Sequence, residues 1–208
     1  MTRTILAFGD SLTWGVDPGR GRHAHEDRWP TVLERLLPDT RVIPEGLPGR
    51  TTAFDDANGA ADRNGARILP VLLGSHYPLD LVVILLGAND LKQDICGHAA
   101  GTAGGMARLV EIVRTFPYDY GYTAPQILLV SPPHFRIPDN GALRGGRLIE
   151  ESKKLAGHYR AVADENGCGF FDTAVTAQTC SFDGIHLDAK NTRQIGIGVA
   201  GFIRLTYC

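Results

Sequence analysis

A serine hydroxyl is a weak nucleophile at neutral pH. It needs a base to take its proton and donors to hold the oxyanion formed when it attacks a carbonyl. Ser11, in FGDSLTWG, follows directly on a short apolar run. The base candidates are the seven histidines, among which His186 stands in FDGIHLDAKN with Asp183 three residues before it. At that spacing, in a helix or a tight turn, the two side chains share a face. The carboxylate can then accept from the imidazole, fix its tautomer and stabilise the imidazolium that forms when Ser11 gives up its proton. Each feature also has a purely structural reading. Asp10 and Ser11 are favoured N-cap residues, and Asp183-Gly184 is a strong turn dipeptide.

Two further segments offer oxyanion donors. Residues 87–90 (GAND) end the most apolar run of the chain, and the Asn89 amide can donate to a developing oxyanion. Residues 46–50 (GLPGR) form a second glycine-bearing loop. The Gly49 N–H can approach a substrate closely because no side chain stands in the way. An ordinary strand-ending turn and an ordinary strand-to-helix loop account for these segments equally well.

The elements that must position these residues alternate along the chain. Residues 4–8 (TILAF), 41–44 (RVIP), 81–86 (LVVILL), 127–130 (ILLV) and 169–171 (GFF) read as short buried strands. Amphipathic stretches at 29–37, 64–76, 102–115, 143–165 and 191–205 read as helices. Near-continuous apolar strands separated by helices predict an α/β fold, a three-layer αβα sandwich on a five-stranded parallel sheet. Right-handed crossovers and a flavodoxin-like order 2-1-3-4-5 are the expectation. Ligands bind such sheets beyond the carboxyl ends of the strands. That is where Ser11, Gly49 and Asn89 fall, with Asp183 and His186 just before the last helix.

Taken together and in order, FGDSLTWG, EGLPGRTT, LGAND and DGIHL resemble the SGNH (GDSL) hydrolases, over nearly the whole chain. With YPLDLV and SPP, the longer motifs are most similar to the octameric arylesterase/acyltransferase and acetyl-ester hydrolase branch. The resemblance implies Ser11 as nucleophile, His186 as general base and then acid, and Asp183 as the orienting acid. It implies an oxyanion hole of the Ser11 N–H, the Gly49 N–H and the Asn89 amide. It also implies a short-chain, acetyl-type ester as substrate, acyl transfer to alcohols beside hydrolysis, and a homo-oligomer, octameric in that branch. Leu12 and Trp14 are expected to border the acyl pocket or to be core, and His134 in SPPHF to rim the alcohol side or to pack.

The bulk composition sets bounds. At 208 residues, 43% hydrophobic and 21% charged, the chain reads as one domain over 1–208. The net charge of −2 has both signs interspersed and no basic stripe, so neither nucleic acid nor a membrane surface is an expected partner. The N-terminal run is too short for a signal peptide and no window matches a membrane span, so a cytoplasmic protein is expected. Cys96, Cys168, Cys180 and Cys208 lack a C-x-x-C pair and read as free thiols. No metal or organic cofactor is expected. The match to G-x-G-x-x-G at 196–201 has no strand before it, so it reads as close helix-to-sheet packing rather than dinucleotide binding. His23-Ala-His25-Glu26-Asp27, within the long connection 16–28, reads as a solvated loop rather than a metal site. The resemblance implies a homo-oligomer in which that connection and residues 54–62 narrow the entrance to the site. The absence of G-x-S-x-G argues against the common α/β-hydrolase fold. Two rival readings are a lysophospholipase or thioesterase with the same triad, and a silent binding module on the same fold.

Overall fold

The computed structural model describes residues 2–207. Its frame is a five-stranded parallel sheet built from β1 (Arg3–Gly9), β4 (Thr40–Gly46), β5 (Leu81–Leu85), β6 (Gln126–Ser131) and β7 (Gly169–Asp172). These lie in the order β4-β1-β5-β6-β7, which is the expected 2-1-3-4-5. A separate two-stranded ribbon, β2 (Val16–Asp17) with β3 (Gly21–Arg22), is antiparallel. A single helical turn, α1 (Ser11–Trp14), follows β1, and α2 (Trp29–Leu36), α3 (Gly65–His76), α4 (Ala99–Thr115), α5 (Ile149–Asn166) and α6 (Ala189–Thr206) are the longer helices.

The sheet is apolar on both faces because helices cover both. Leu6 and Phe8 of β1 point into one cluster with Leu69 and Leu73 of α3, Met106 and Leu109 of α4, and Leu155 and Tyr159 of α5. Ile5 and Ala7 point the other way, against Trp29 and Leu33 of α2 and Ile195 and Val199 of α6. All five residues of β5 are buried, which is why the central strand reads as an unbroken apolar run rather than an alternation. Burying each such Leu or Val contributes roughly 1.5–3 kcal/mol relative to exposure. Two of the helix starts are set by short polar side chains. Asn64 accepts from the Ala66 N–H at the head of α3, and Asp188 from the Asn191 N–H at the head of α6.

Four readings from the sequence need correction. The connection 16–28 is not an irregular loop; it carries the ribbon and a 3₁₀ turn at His25–Asp27. His23 within it is buried, not solvated, and its Nε2 lies 2.9 Å from the Leu187 carbonyl oxygen. The helix expected from 143 begins at Ile149; an exposed 3₁₀ turn at Arg144–Gly146 precedes it, and Arg147 alone of residues 143–148 is buried. In the 196–201 glycine run, Gly198 faces the Phe171 ring of β7, but Gly196 faces the Trp29 carbonyl and Val32 of α2, so one glycine serves helix–helix contact. Cys96, Cys168 and Cys180 are free thiols; Cys208 lies outside the described residues.

Candidate active site

Ser11 opens α1 at the carboxyl end of β1. The turn is held by Asp10, whose Oδ1 accepts from the Leu12 N–H at 2.9 Å. The Trp29 indole N–H donates to Thr13 Oγ1 and fixes the far side of the same turn. Across the edge, residues 183–186 form a compact turn closed on the Asp183 carboxylate. Its Oδ1 accepts from the Ile185 and His186 N–H groups, each at 2.9 Å, and its Oδ2 lies 2.5 Å from His186 Nδ1. Gly184 holds φ +72, and a Cβ there would strike the Arg136 carbonyl oxygen; only glycine fits. His186 Nε2 then lies 2.9 Å from Ser11 Oγ. Burial alone would raise the Asp183 carboxyl, but the His186 ring and the two N–H groups pull it down to about 2. It is therefore ionised throughout the neutral range and compels the proton onto Nδ1, which leaves Nε2 free to accept from the serine.

The groups expected to hold an oxyanion converge on the same edge. Among the described residues, the N–H groups of Ser11 and Gly49 donate to no protein acceptor. Gly49 holds φ +88. The Asn89 amide is oriented from both ends. Its Oδ1 accepts from Arg147 Nη2 at 3.0 Å, and its Nδ2 donates to the Arg50 carbonyl at 3.1 Å and, more loosely, to Asp10 Oδ2 at 3.3 Å. The nitrogen therefore faces the Asp10–Ser11 turn.

Behind these donors lies a layer of buried charge. Asp10 and Asp90 are fully buried, and Arg50 and Arg147 nearly so. Arg50 lies over the Phe8 ring at 4.4 Å and donates to the Gly9 and Glu45 carbonyls, tying the ends of β1 and β4 together. Arg147 donates from Nε to the Ala88 carbonyl at 2.8 Å. Asp90 takes the Thr52 N–H and hydroxyl. Burial pushes Asp10 up to about 6, against the Leu12 N–H and the charges of His186, Arg147 and Arg50. Burial likewise pushes Asp90 up to about 6, against its Thr52 hydrogen bonds. Burial lowers both arginines to about 10, so they stay cationic at neutral pH.

The structure therefore brings Ser11, Gly49, Asn89, Asp183 and His186 together. Leu12 is 4% exposed and packs in the α2–α6 cluster, as core. Trp14 is half-buried at the edge of the site with the Arg22 guanidinium 4.3 Å over its ring. His134 is exposed and lines a cleft of about 370 Å³ with Arg136, Gln178 and Thr179, which no residue of the Ser11–His186–Asp183 chain borders. Arg147, Arg50 and Asp90 are contributors that sequence reasoning missed, and Asp10, read there only as a helix cap, both caps α1 and joins the buried charge behind the site. Among the described residues, no group of three or more His, Cys, Asp or Glu stands close enough to hold a metal ion.

A parallel αβα sandwich with such a relay at its carboxyl edge defines a class, the α/β proteins built for nucleophilic serine chemistry. Within that class the chain belongs to the GDSL-like lipase/acylhydrolase family, whose sequence profile matches residues 7–191. Among solved structures, the chain is similar to a carbohydrate acetylesterase family member from Sinorhizobium meliloti, with 50% identity, 98% of each chain covered and a TM-score of 0.92. A second carbohydrate acetylesterase from the same organism is 40% identical over 98% of this chain and 99% of that one, with a TM-score of 0.88. The aryl esterase of M. smegmatis is 39% identical over 98% and 99%, with a TM-score of 0.89. A comparison with curated protein sequences returned no match. No helix among the described residues is long and apolar enough to cross a membrane.

Proposed function

We propose that this carboxylic ester hydrolase of the GDSL-like family is a serine esterase for short-chain, acetyl-type esters, acting through an acyl-serine intermediate. The observation that carries the reading is the unbroken chain from Ser11 Oγ through His186 to Asp183, beside two backbone N–H groups with no protein acceptor among the described residues. Ser11 Oγ attacks the ester carbonyl carbon as His186 Nε2 takes its proton. The oxyanion is received by the Ser11 and Gly49 N–H groups and the Asn89 amide, whose looser 3.3 Å bond to Asp10 gives way to it. The carbon–oxygen bond to the alcohol breaks, and the alcohol departs with the proton from His186. Water then attacks acyl-Ser11 by the same route in reverse and releases the acid. An alcohol in place of water gives acyl transfer. No step requires a cofactor.

The similarity to carbohydrate acetylesterases and an aryl esterase supports acetylated carbohydrates and aryl acetates as the substrate class. Hydrolysis of p-nitrophenyl acetate, butyrate and octanoate by the wild type and Ser11→Ala tests this. Acetate should be cleaved best, and only by the wild type. A preference for octanoate would move the protein to the lysophospholipase or thioesterase side of the family, and Ser11-independent turnover would remove the nucleophile from the scheme.

The protein is further proposed to act as a homo-oligomer, in which residues 16–28 and 54–62 narrow the entrance. The ribbon already reaches the site, since Gly19 abuts the Phe182 ring next to Asp183. The exposed apolar side chains of Phe182, Ile137 and Leu148 suit contact with another subunit. A monomeric mass by light scattering would overturn this.

A further inference from the structure

Asp56 stands outside the hydrogen-bonded chain of the site, and the mechanism above makes no use of it. Its side chain is fully buried, yet it is shared by two cations. Arg63 Nη1 lies 2.9 Å and Lys92 Nζ 2.7 Å from the same Oδ2. The Asn58 N–H takes Oδ1 at 3.0 Å. Burial alone would raise this carboxyl, but Lys92, the Asn58 N–H and Arg63 hold it well below the usual range, so it is a permanent anion at any working pH.

Each cation leads to a different oxyanion donor. The Arg63 guanidinium lies against Gly49, where a Cβ would fall 2.5 Å from Arg63 Nε, and it closes over Gly59 as well. The segment between is stapled at its base, because the Thr51 N–H donates to the Arg63 carbonyl at 2.9 Å and Thr51 bridges Asn64. Lys92 lies three residues past Asn89, and its N–H donates to the Asn89 carbonyl. One buried carboxylate thus joins the loop that carries the Gly49 N–H to the turn that carries the Asn89 amide. These two groups come from the ends of different strands. Direct bonds already join their segments behind the site, from Asn89 Nδ2 to the Arg50 carbonyl and from Thr52 to Asp90, and the Asp56 link adds a second, ionic tie on the loop side.

We propose that Asp56 is a positioning residue, tying Gly49 to Asn89 through Arg63 and Lys92 so that both donors meet one oxyanion. The inference rests on the serine-esterase reading. A donor pair that serves the transition state more than the bound ester should lower kcat when loosened and leave KM nearly unchanged.

The experiment measures kcat and KM for p-nitrophenyl acetate, and inhibition by phenylboronic acid, whose tetrahedral serine adduct places an oxygen in the same hole. Asp56→Asn should lower kcat by roughly 10- to 100-fold, short of the 10²–10³ expected for removing a donor outright. KM should stay within about twofold, and boronate affinity should fall in parallel with kcat. Arg63→Ala should behave alike. Arg63→Lys should restore most of the loss, because the ion pair uses one nitrogen that an ammonium can replace. Asp62→Asn, which removes the charge facing Arg67 in the same loop while its amide Oδ1 can still accept from the Asn64 N–H, should keep wild-type kcat. If Asp56→Asn does not fold, Arg63→Ala decides alone, since that side chain is only partly buried. Unchanged kcat in Asp56→Asn or Arg63→Ala, or an equal loss in Asp62→Asn, overturns the tie while wild-type, Ser11-dependent turnover leaves the esterase reading standing. Wild-type protein without Ser11-dependent turnover overturns both.

Discussion

The two halves of the site are built in opposite ways. The base half is local: Asp183, Gly184, Ile185 and His186 form one turn, and the carboxylate satisfies its own neighbours before it reaches the imidazole. The oxyanion half is assembled at long range. Gly49 and Asn89 are held by Arg50, Arg147, Asp10 and Asp90, which come from separate segments and lie almost wholly out of water. The contrast teaches that one half can be disarmed without loosening the fold, whereas the other cannot. A charge removed from a buried, hydrogen-bonded set leaves its partners unpaired and costs stability as well as rate.

Asp183→Asn should produce the largest separation of the two effects. Turnover should fall by roughly 10⁴ as the imidazole loses its tautomer. The loss of melting temperature should be smaller than in Asn89→Ala, because an amide Oδ1 can still accept from the Ile185 and His186 N–H groups and only the charge paired with His186 is gone; a larger loss than in Asn89→Ala would show that the turn is not self-sufficient. Asn89→Ala comes next, with kcat lower by roughly 10²–10³. It should also lose about 1–3 kcal/mol of stability, because Arg147 Nη2 is left without its acceptor. Denaturant melts and steady-state kinetics on the same preparation check both numbers. Arg147→Met keeps the stem and removes the donors. It should cost stability on a similar scale but only roughly tenfold in kcat, since Asn89 stays in place and loses only its orientation.

The smallest effect is a pH dependence. Asp10 and Asp90 are raised to about 6 from an ordinary 3.8, so the folded protein binds more protons than the unfolded chain between those values. Their contribution to stability therefore improves as pH falls from 7 towards 4. Asp183, lowered to about 2, works in the opposite direction. Its stabilisation is complete above 3.8 and is lost as pH falls through 2. Melting temperature should thus rise from pH 7.5 to pH 5, and the rise should be smaller in Asp90→Asn. An identical profile in that variant would place the proton uptake elsewhere.

The same contrast explains what the sequence discloses. The strands are legible because each is buried on both faces and so reads as a block, and the base half is legible because its geometry is a three-residue spacing. Arg147 was not, because LRGGR falls within an amphipathic stretch that reads as one helix from 143. The signal was there: Gly145 and Gly146 both take positive φ and break the pattern just before the arginine turns inward. His23 carries no such local mark. It sits in a polar stretch and is buried by a carbonyl 164 residues away, a contact that no window of sequence contains. Asp10 and Asp90 were visible as residues of their motifs, yet their roles in the buried charge layer depend on Arg50 and Arg147, which arrive from other loops.

The bond between His186 and Ser11 spans 175 residues. Ribosomes add roughly 5–20 residues per second, so on the order of 9–35 s separate the synthesis of the nucleophile from that of its base. Through that interval the emerging polypeptide carries an unactivated hydroxyl, inert towards every ester around it. Reactivity arrives only when the segment leading into α6 docks beside the ribbon. On the serine-esterase reading, synthesis of the 183–186 turn is thus the activation step, and a fragment that stops before His186 carries a serine without its base.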